Sequence, residues 1–118
     1  MSSRAGLFAD IDRKDADLWA TYLSEDAVLR FGNGDPVVGR DAARDALAAF
    51  YDTIAGLRHE EVERWETPTA TIVEAMVTYT RMDGSEVTLP VVTIYRTNDE
   101  DLIDDYQVFI DLAPLFAG

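Results

Sequence analysis

The sequence predicts an α+β fold: a cone-shaped α+β barrel in which three N-terminal helices pack in a strongly curved, mixed or antiparallel sheet of about six strands. Three observations predict it. Apolar residues recur at helical spacing in the first half, at Leu7, Phe8, Ile11, Leu18, Trp19, Tyr22 and Leu23 and again between Ala42 and Ile54. In the second half, β-branched and aromatic residues dominate runs such as Thr71-Ile72-Val73 and Val87 to Tyr95, with turn signals between them. The length of 118 residues suits one domain, residues 1–118.

Taken in order, residues 5–24 read as a helix broken near Lys14-Asp15, where the Asp15 carboxylate can cap a second short helix. Ala27 to Phe31 is a short strand, closed by the turn signal Gly32-Asn33-Gly34-Asp35-Pro36, and Val37-Val38 is a minimal second strand. Gly39-Arg40-Asp41 opens the third helix. Its apolar side holds Ala42, Ala43, Ala46, Leu47, Phe50 and Ile54, and Gly56 is expected to stop it. Four strands follow, at roughly 57–67, 69–82, 85–97 and 102–112. Met82-Asp83-Gly84-Ser85 is a hairpin turn, because Asp-Gly supplies the positive φ such turns need. Pro90 has no N–H to give a sheet, so it requires an edge position or a bulge.

Composition excludes several classes of function. Ten basic residues stand against 23 acidic ones, a formal net charge of −13. A nucleic-acid groove or an anionic membrane surface needs clustered Lys and Arg, so neither partner is expected. There is no cysteine, which removes disulfides, thiolate nucleophiles and thiolate metal sites. The single histidine, His59, cannot build a multi-histidine zinc site, and no metal is expected. Gly32-x-Gly34 lacks the third glycine and following helix of a phosphate loop, so no cofactor is expected either. The carboxylates of Asp99, Glu100, Asp101, Asp104 and Asp105 match no ordered cation loop and read as a solvated turn. With no apolar run long enough for a signal peptide or a membrane span, a cytoplasmic location is expected.

His59 is the one side chain whose ordinary pKa, about 6.5, lies near working pH. Asp12, beside Phe8 and Ile11 on the inner side of the first helix, is the carboxylate expected to orient it at a pocket floor. Such a pair is equally a way of satisfying a buried histidine. Tyr79 and Tyr106 are expected on adjacent strands, where either phenol can hydrogen-bond a ligand carbonyl. Trp19, Tyr22, Phe31, Phe50, Tyr51 and Trp65 are candidates for the apolar walls, or for plain core. Asp104 is expected to point inward beside Tyr106, and Asp111 to be structural. Ile72, Met76, Val92 and Ile94 leave the outer sheet face apolar, from which a homodimer through that face is expected.

The segments FADIDRKDADLWATYLSEDAV, Gly39-Arg40-Asp41, LRHEEVERW and LIDDYQVFIDLAPLF follow in an order that resembles the nuclear transport factor 2-like superfamily, a cystatin-like cone fold, and within it the SnoaL-like branch. The resemblance implies a homodimer packed sheet to sheet, with a pocket in each cone. In ketosteroid isomerases the catalytic Asp falls at Phe31 and the helix Tyr at about Leu7. The Asp, Arg and Asp of limonene epoxide hydrolase fall at about Ala75, Val77 and Val108. Neither activity is implied. Scytalone dehydratase is more similar, at Asp12 and His59, although its second His is missing and its strand Asn falls at about Val91. Val77, Val91 and Val108 thereby join the expected pocket walls. The implied function is that of a small-molecule pocket protein: a cofactor-independent lyase, isomerase or polyketide-cyclase-like enzyme. It would act on an apolar carbonyl compound through the His59–Asp12 pair. The alternative is a non-catalytic hydrophobic-ligand-binding or dimeric accessory protein of the same fold.

Overall fold

The computed structural model describes residues 6–116; residues 1–5 and 117–118, where the expected start of the first helix falls, lie outside the described residues. The elements are α1 (Leu7–Ile11), α2 (Ala16–Ala20), β1 (Leu23–Phe31), β2 (Val37–Val38), α3 (Arg40–Tyr51), β3 (Gly56–Glu66), β4 (Ala70–Thr80), β5 (Glu86–Thr97), β6 (Ile103–Phe109) and α4 (Ala113–Phe116). Six strands form one sheet in the order β2-β1-β6-β5-β4-β3. β1 and β6 run parallel and every other pair is antiparallel, so the sheet is mixed.

The break between α1 and α2 falls at Lys14, which takes a left-handed φ of 59°. Asp15 then caps α2 by accepting from the Leu18 N–H at 3.1 Å. Lys14 Nζ reaches across to the Ile54 carbonyl at 2.9 Å and ties this turn to the end of α3. α2 ends at Ala20 instead of running to residue 24. The Ile103 N–H bonds the Tyr22 carbonyl at 2.7 Å, and this sheet pairing draws Leu23 into β1 against the helical spacing. α3 likewise stops at Tyr51, short of Gly56. The Thr53 hydroxyl donates to the Phe50 carbonyl at 2.6 Å, and the Ala55 N–H takes the Thr80 carbonyl at 2.8 Å, so Gly56 opens β3.

Pro90 lies within an interior strand, yet its outer flank is bare. β5 pairs with β6 only as far as Val92–Phe109, so no ladder there asks Pro90 for an N–H. The β4–β5 hairpin turns at Gly84, with φ of 89°, and Asp83 accepts from the Ser85 N–H at 2.9 Å. α4 was not expected. Asp111 caps it by accepting from the Ala113 N–H at 3.0 Å, while Arg81 donates to the Pro114 and Leu115 carbonyls and clasps it to β4.

Alternation gives the sheet two faces. Val73, Ala75, Val77 and Tyr79 of β4, with Leu89, Val91, Thr93 and Tyr95 of β5, are buried on the concave face against the helices. Ile72, Met76, Val92 and Ile94 face the other way and are half-buried. β3 changes phase along its length. A bulge between Glu61 and Glu63 moves residues 57, 59 and 61 and residue 64 to the concave side, while Trp65 turns outward opposite Ile72. Among the described residues, no helix is long and apolar enough to cross a membrane.

Candidate functional site

Helix α1 is only five residues long, and burial of Leu7 and Ile11 fixes its orientation. Asp12 follows directly as its C-terminal cap residue and meets β3. β3 is an edge strand, so alternate N–H groups along it have no neighbouring strand. Asp12 supplies what the edge lacks: its Oδ2 accepts from the His59 main-chain N–H at 2.8 Å. Its Oδ1 stands 2.6 Å from His59 Nδ1. An ionised carboxylate can only accept, so Nδ1 carries the proton, and in the neutral ring the lone pair is then on Nε2. Phe8 packs edge-on against the imidazole, with ring centroids 5.0 Å apart. The His59 side chain is 10% exposed and that of Asp12 24%.

His59 lines a cavity between sheet and helices. From the sheet come Leu57, Tyr79, Val91, Thr93, Tyr106 and Val108; from the helices come Ile11, Trp19, Leu47, Phe50 and Tyr51; β1 adds Leu29 and Phe31. Its free volume is about 30 Å³, space for two or three water molecules at about 10–15 Å³ each. Outside it lies a surface groove of about 260 Å³ between β1, β2 and α3. The two spaces share Leu29, Phe31, Leu47 and Phe50, which therefore form the wall between them. The Phe31 and Phe50 rings meet at 5.1 Å within that wall.

Three tyrosines bring phenol hydroxyls to the cavity, beside the hydroxyl of Thr93. Burial pushes the phenol pKa of Tyr51, Tyr79 and Tyr106 above the ordinary range, and the Asp12 charge adds to this at Tyr51 and Tyr79. All three stay protonated at neutral pH and remain donors. The Tyr51 hydroxyl donates to the Ile11 carbonyl at 3.2 Å.

Of the expected site residues, the structure brings His59, Tyr79, Tyr106, Trp19, Phe31, Phe50, Val91 and Val108 to the cavity, with Asp12 behind His59. It does not bring Tyr22, Trp65 or Val77. Tyr22 sits at the rim, where its hydroxyl donates to Asp10; burial first, and then Asp10, raise its pKa to about 12. Trp65 is 45% exposed, carried outward by the β3 bulge. Val77 is on the concave face but is fully buried opposite His59 and Leu89, away from the free space. Tyr79 and Tyr106 are not on adjacent strands, because β5 runs between them and Tyr95 stacks on Tyr106 at 5.9 Å. Asp104 is exposed and does not face inward beside Tyr106. Sequence reasoning missed Ile11, Leu29, Leu47, Leu57 and Thr93. Leu57 and Thr93 stand two residues from His59 and Val91, so strand parity alone places them on the same face. Among the described residues, no group of three or more His, Asp or Glu is placed to hold a metal ion.

A sheet wrapped on short helices, closing over an interior histidine held by a carboxylate, defines a class of small pocket-bearing α+β cones. The profile of the SnoaL-like domain matches residues 5–105, and the chain belongs to that family. Solved structures agree on the fold. A hypothetical protein with a ketosteroid isomerase-like fold from Catenulispora acidiphila DSM 44928, in complex with trimethylamine, is similar at 16% identity. The match covers 97% of this chain and 88% of that one, with a TM-score of 0.85. A protein described as a SnoaL-like polyketide cyclase from Jannaschia sp. CCS1 is similar at 18% identity, over 95% and 85% of the two chains, with a TM-score of 0.80. The epoxide hydrolase/cyclase-like enzyme SalBIII of pyran ring formation in salinomycin is similar at 18% identity, over 93% and 88%, with a TM-score of 0.79. No curated protein matches the sequence.

Proposed function

We propose that this SnoaL-like protein is a cofactor-independent lyase, isomerase or cyclase that moves a proton on a small apolar carbonyl compound. The observation that carries the reading is the Asp12–His59 pair, bonded at 2.6 Å with the imidazole on the cavity wall. Nε2 takes a proton from the carbon next to the carbonyl, and the C–H electron pair moves onto the oxygen. Asp12 stabilises the imidazolium that results. Tyr79 or Tyr106 hydrogen-bonds the developing enolate in a site of low polarity, where such a bond is stronger than in water. The imidazolium then returns the proton to another carbon, gives it to a departing hydroxyl that leaves as water, or, where the enolate carbon closes a ring on a second carbonyl of the same molecule, gives it to the alkoxide that forms. The cyclase-like names among similar structures support this range of outcomes. Substrate would enter by displacing the Phe31–Phe50 wall and joining the groove to the cavity. The half-buried apolar convex face is proposed as the seam of a homodimer.

The test is deuterium exchange at the α-carbon of cyclohexanone in heavy water, followed by NMR. The native protein is expected to accelerate exchange, and His59→Ala to lose about 10²–10⁴-fold of that rate. Asp12→Asn is expected to lose as much. An amide donates to Nδ1, which moves the imidazole proton to Nε2 and removes the base. Exchange unaffected by both substitutions would overturn the reading. One observation favours a second reading, a non-catalytic ligand-binding or accessory role: the cavity holds only about 30 Å³ behind largely apolar walls. That role leads if cyclohexanone raises the melting temperature without exchange.

A further inference from the structure

Trp19, on α2, is 1% exposed and lines the cavity across from the sheet. Its ring meets Tyr106 edge-on, at a centroid distance of 5.4 Å and an interplanar angle of 85°. The indole N–H reaches toward the Tyr106 hydroxyl, and this hydrogen-bonding approach works against the burial that raises the phenol's pKa. Even so, no protein atom among the described residues meets Trp19 Nε1 at hydrogen-bond geometry. Buried tryptophan N–H groups ordinarily find a partner, and one that meets no protein acceptor in good geometry stays available to something else. Around Trp19 that something must fit a cavity whose other polar lining groups are His59, Thr93 and three tyrosines.

Resting on the reading of this cavity as a carbonyl site, we infer that the Trp19 indole N–H is a second donor to the ligand's carbonyl oxygen, beside the Tyr106 hydroxyl. The two approach that oxygen from opposite layers of the fold, one from α2 and one from β6. The base, on β3, approaches the carbon. The cavity thereby distinguishes ketones from hydrocarbons of the same shape, because an apolar occupant leaves the indole N–H unpaired. Trp19 is a specificity-determining residue in this arrangement, and the proton transfer itself does not need it to ionise.

Two probes of nearly the same shape test this: cyclohexanone and methylenecyclohexane, in which an exocyclic CH₂ replaces the oxygen. The chain has two tryptophans, so the ¹⁵N-labelled protein shows two indole N–H signals, and Trp65→Phe assigns them. Cyclohexanone is expected to move the Trp19 indole proton downfield, and methylenecyclohexane is not. Trp19→Phe, which keeps a ring and removes the N–H, is expected to weaken cyclohexanone binding about fivefold more than methylenecyclohexane binding. The spectrum of the native protein needs no variant, so a folding defect in Trp19→Phe leaves the test intact. If both probes shift the Val91 and Val108 methyls while the indole proton stays put, the inference falls and a buried water is its partner. If neither probe disturbs those methyls, the carbonyl-site reading and the inference fall together. If cyclohexanone moves the indole proton but no α-deuterium exchange occurs, the proposed catalysis falls and the donor role of Trp19 stands.

Discussion

The two faces of the sheet are built from the same strands with similar residues, yet they end in different states. On β4 and β5 the concave side carries Val73, Ala75, Val77, Val91 and Tyr95, all buried under the helices. The convex side carries Ile72, Met76, Val92 and Ile94, and among the described residues no helix packs over them. Phe109, in register with Val92, is 51% exposed. What separates the faces is polar furniture. All five tyrosines and the histidine lie on the enclosed side or its rim, whereas the convex face mixes aliphatic side chains with Glu60, Glu63 and Glu74. Apolar content alone does not tell a pocket wall from the opposite face; the phenol and imidazole groups do.

The comparison breaks most visibly at Val77. It is fully buried beneath the cavity, so Val77→Asp places an unpaired carboxylate there and is expected to cost more than about 4 kcal/mol, read as loss of the cooperative thermal transition. Alkali tests the same face more gently. Burial raises the Tyr51, Tyr79 and Tyr106 phenols above their unfolded pKa of about 10, so the unfolded chain releases those protons first. Stability linked to them is therefore complete below pH 10 and falls as pH rises beyond it. Tyrosinate absorbance and circular dichroism are expected to change together; tyrosinate appearing well before unfolding would show a wetter concave face. Tyr106→Phe should flatten the decline. The smallest effect on the fold is expected on the convex side. Val92→Lys should leave the far-ultraviolet spectrum unchanged and the folding free energy of the protomer within about 0.5 kcal/mol. Light scattering should then report a monomer, against the homodimer proposed for the native protein.

The element order, the break at Lys14-Asp15 and the hairpin at Gly84 were legible because each rests on local chemistry: a capping carboxylate, a left-handed turn, a change of period. The meeting of Asp12 and His59 was legible only through their positions within that order, since they are 47 residues apart. Trp65 shows where such reading stops. Strict alternation from His59 carries residues 61, 63 and 65 inward, and the bulge after Glu61 reverses the phase before residue 65 is reached. Tyr22 and Leu23 fit a helix by spacing, but long-range pairing with β6 overrode it. Pocket and core also share one vocabulary. Val77 and Val91 face the same way on neighbouring strands, yet one sits in solid packing and the other lines the free space.

The two oxygens of Asp12 answer to different parts of residue 59, one to its main chain and one to its ring. The main-chain bond asks nothing of the side chain beyond its not being proline. Over evolutionary time these two attachments are free to part company. A lineage without the proposed chemistry can replace the imidazole and still keep the carboxylate, because the strand edge goes on needing an acceptor. Among descendants of this architecture, an acid at the end of the first helix thus records how the cone is closed, and only acid and imidazole inherited together keep the pair on which the proposed proton transfer rests.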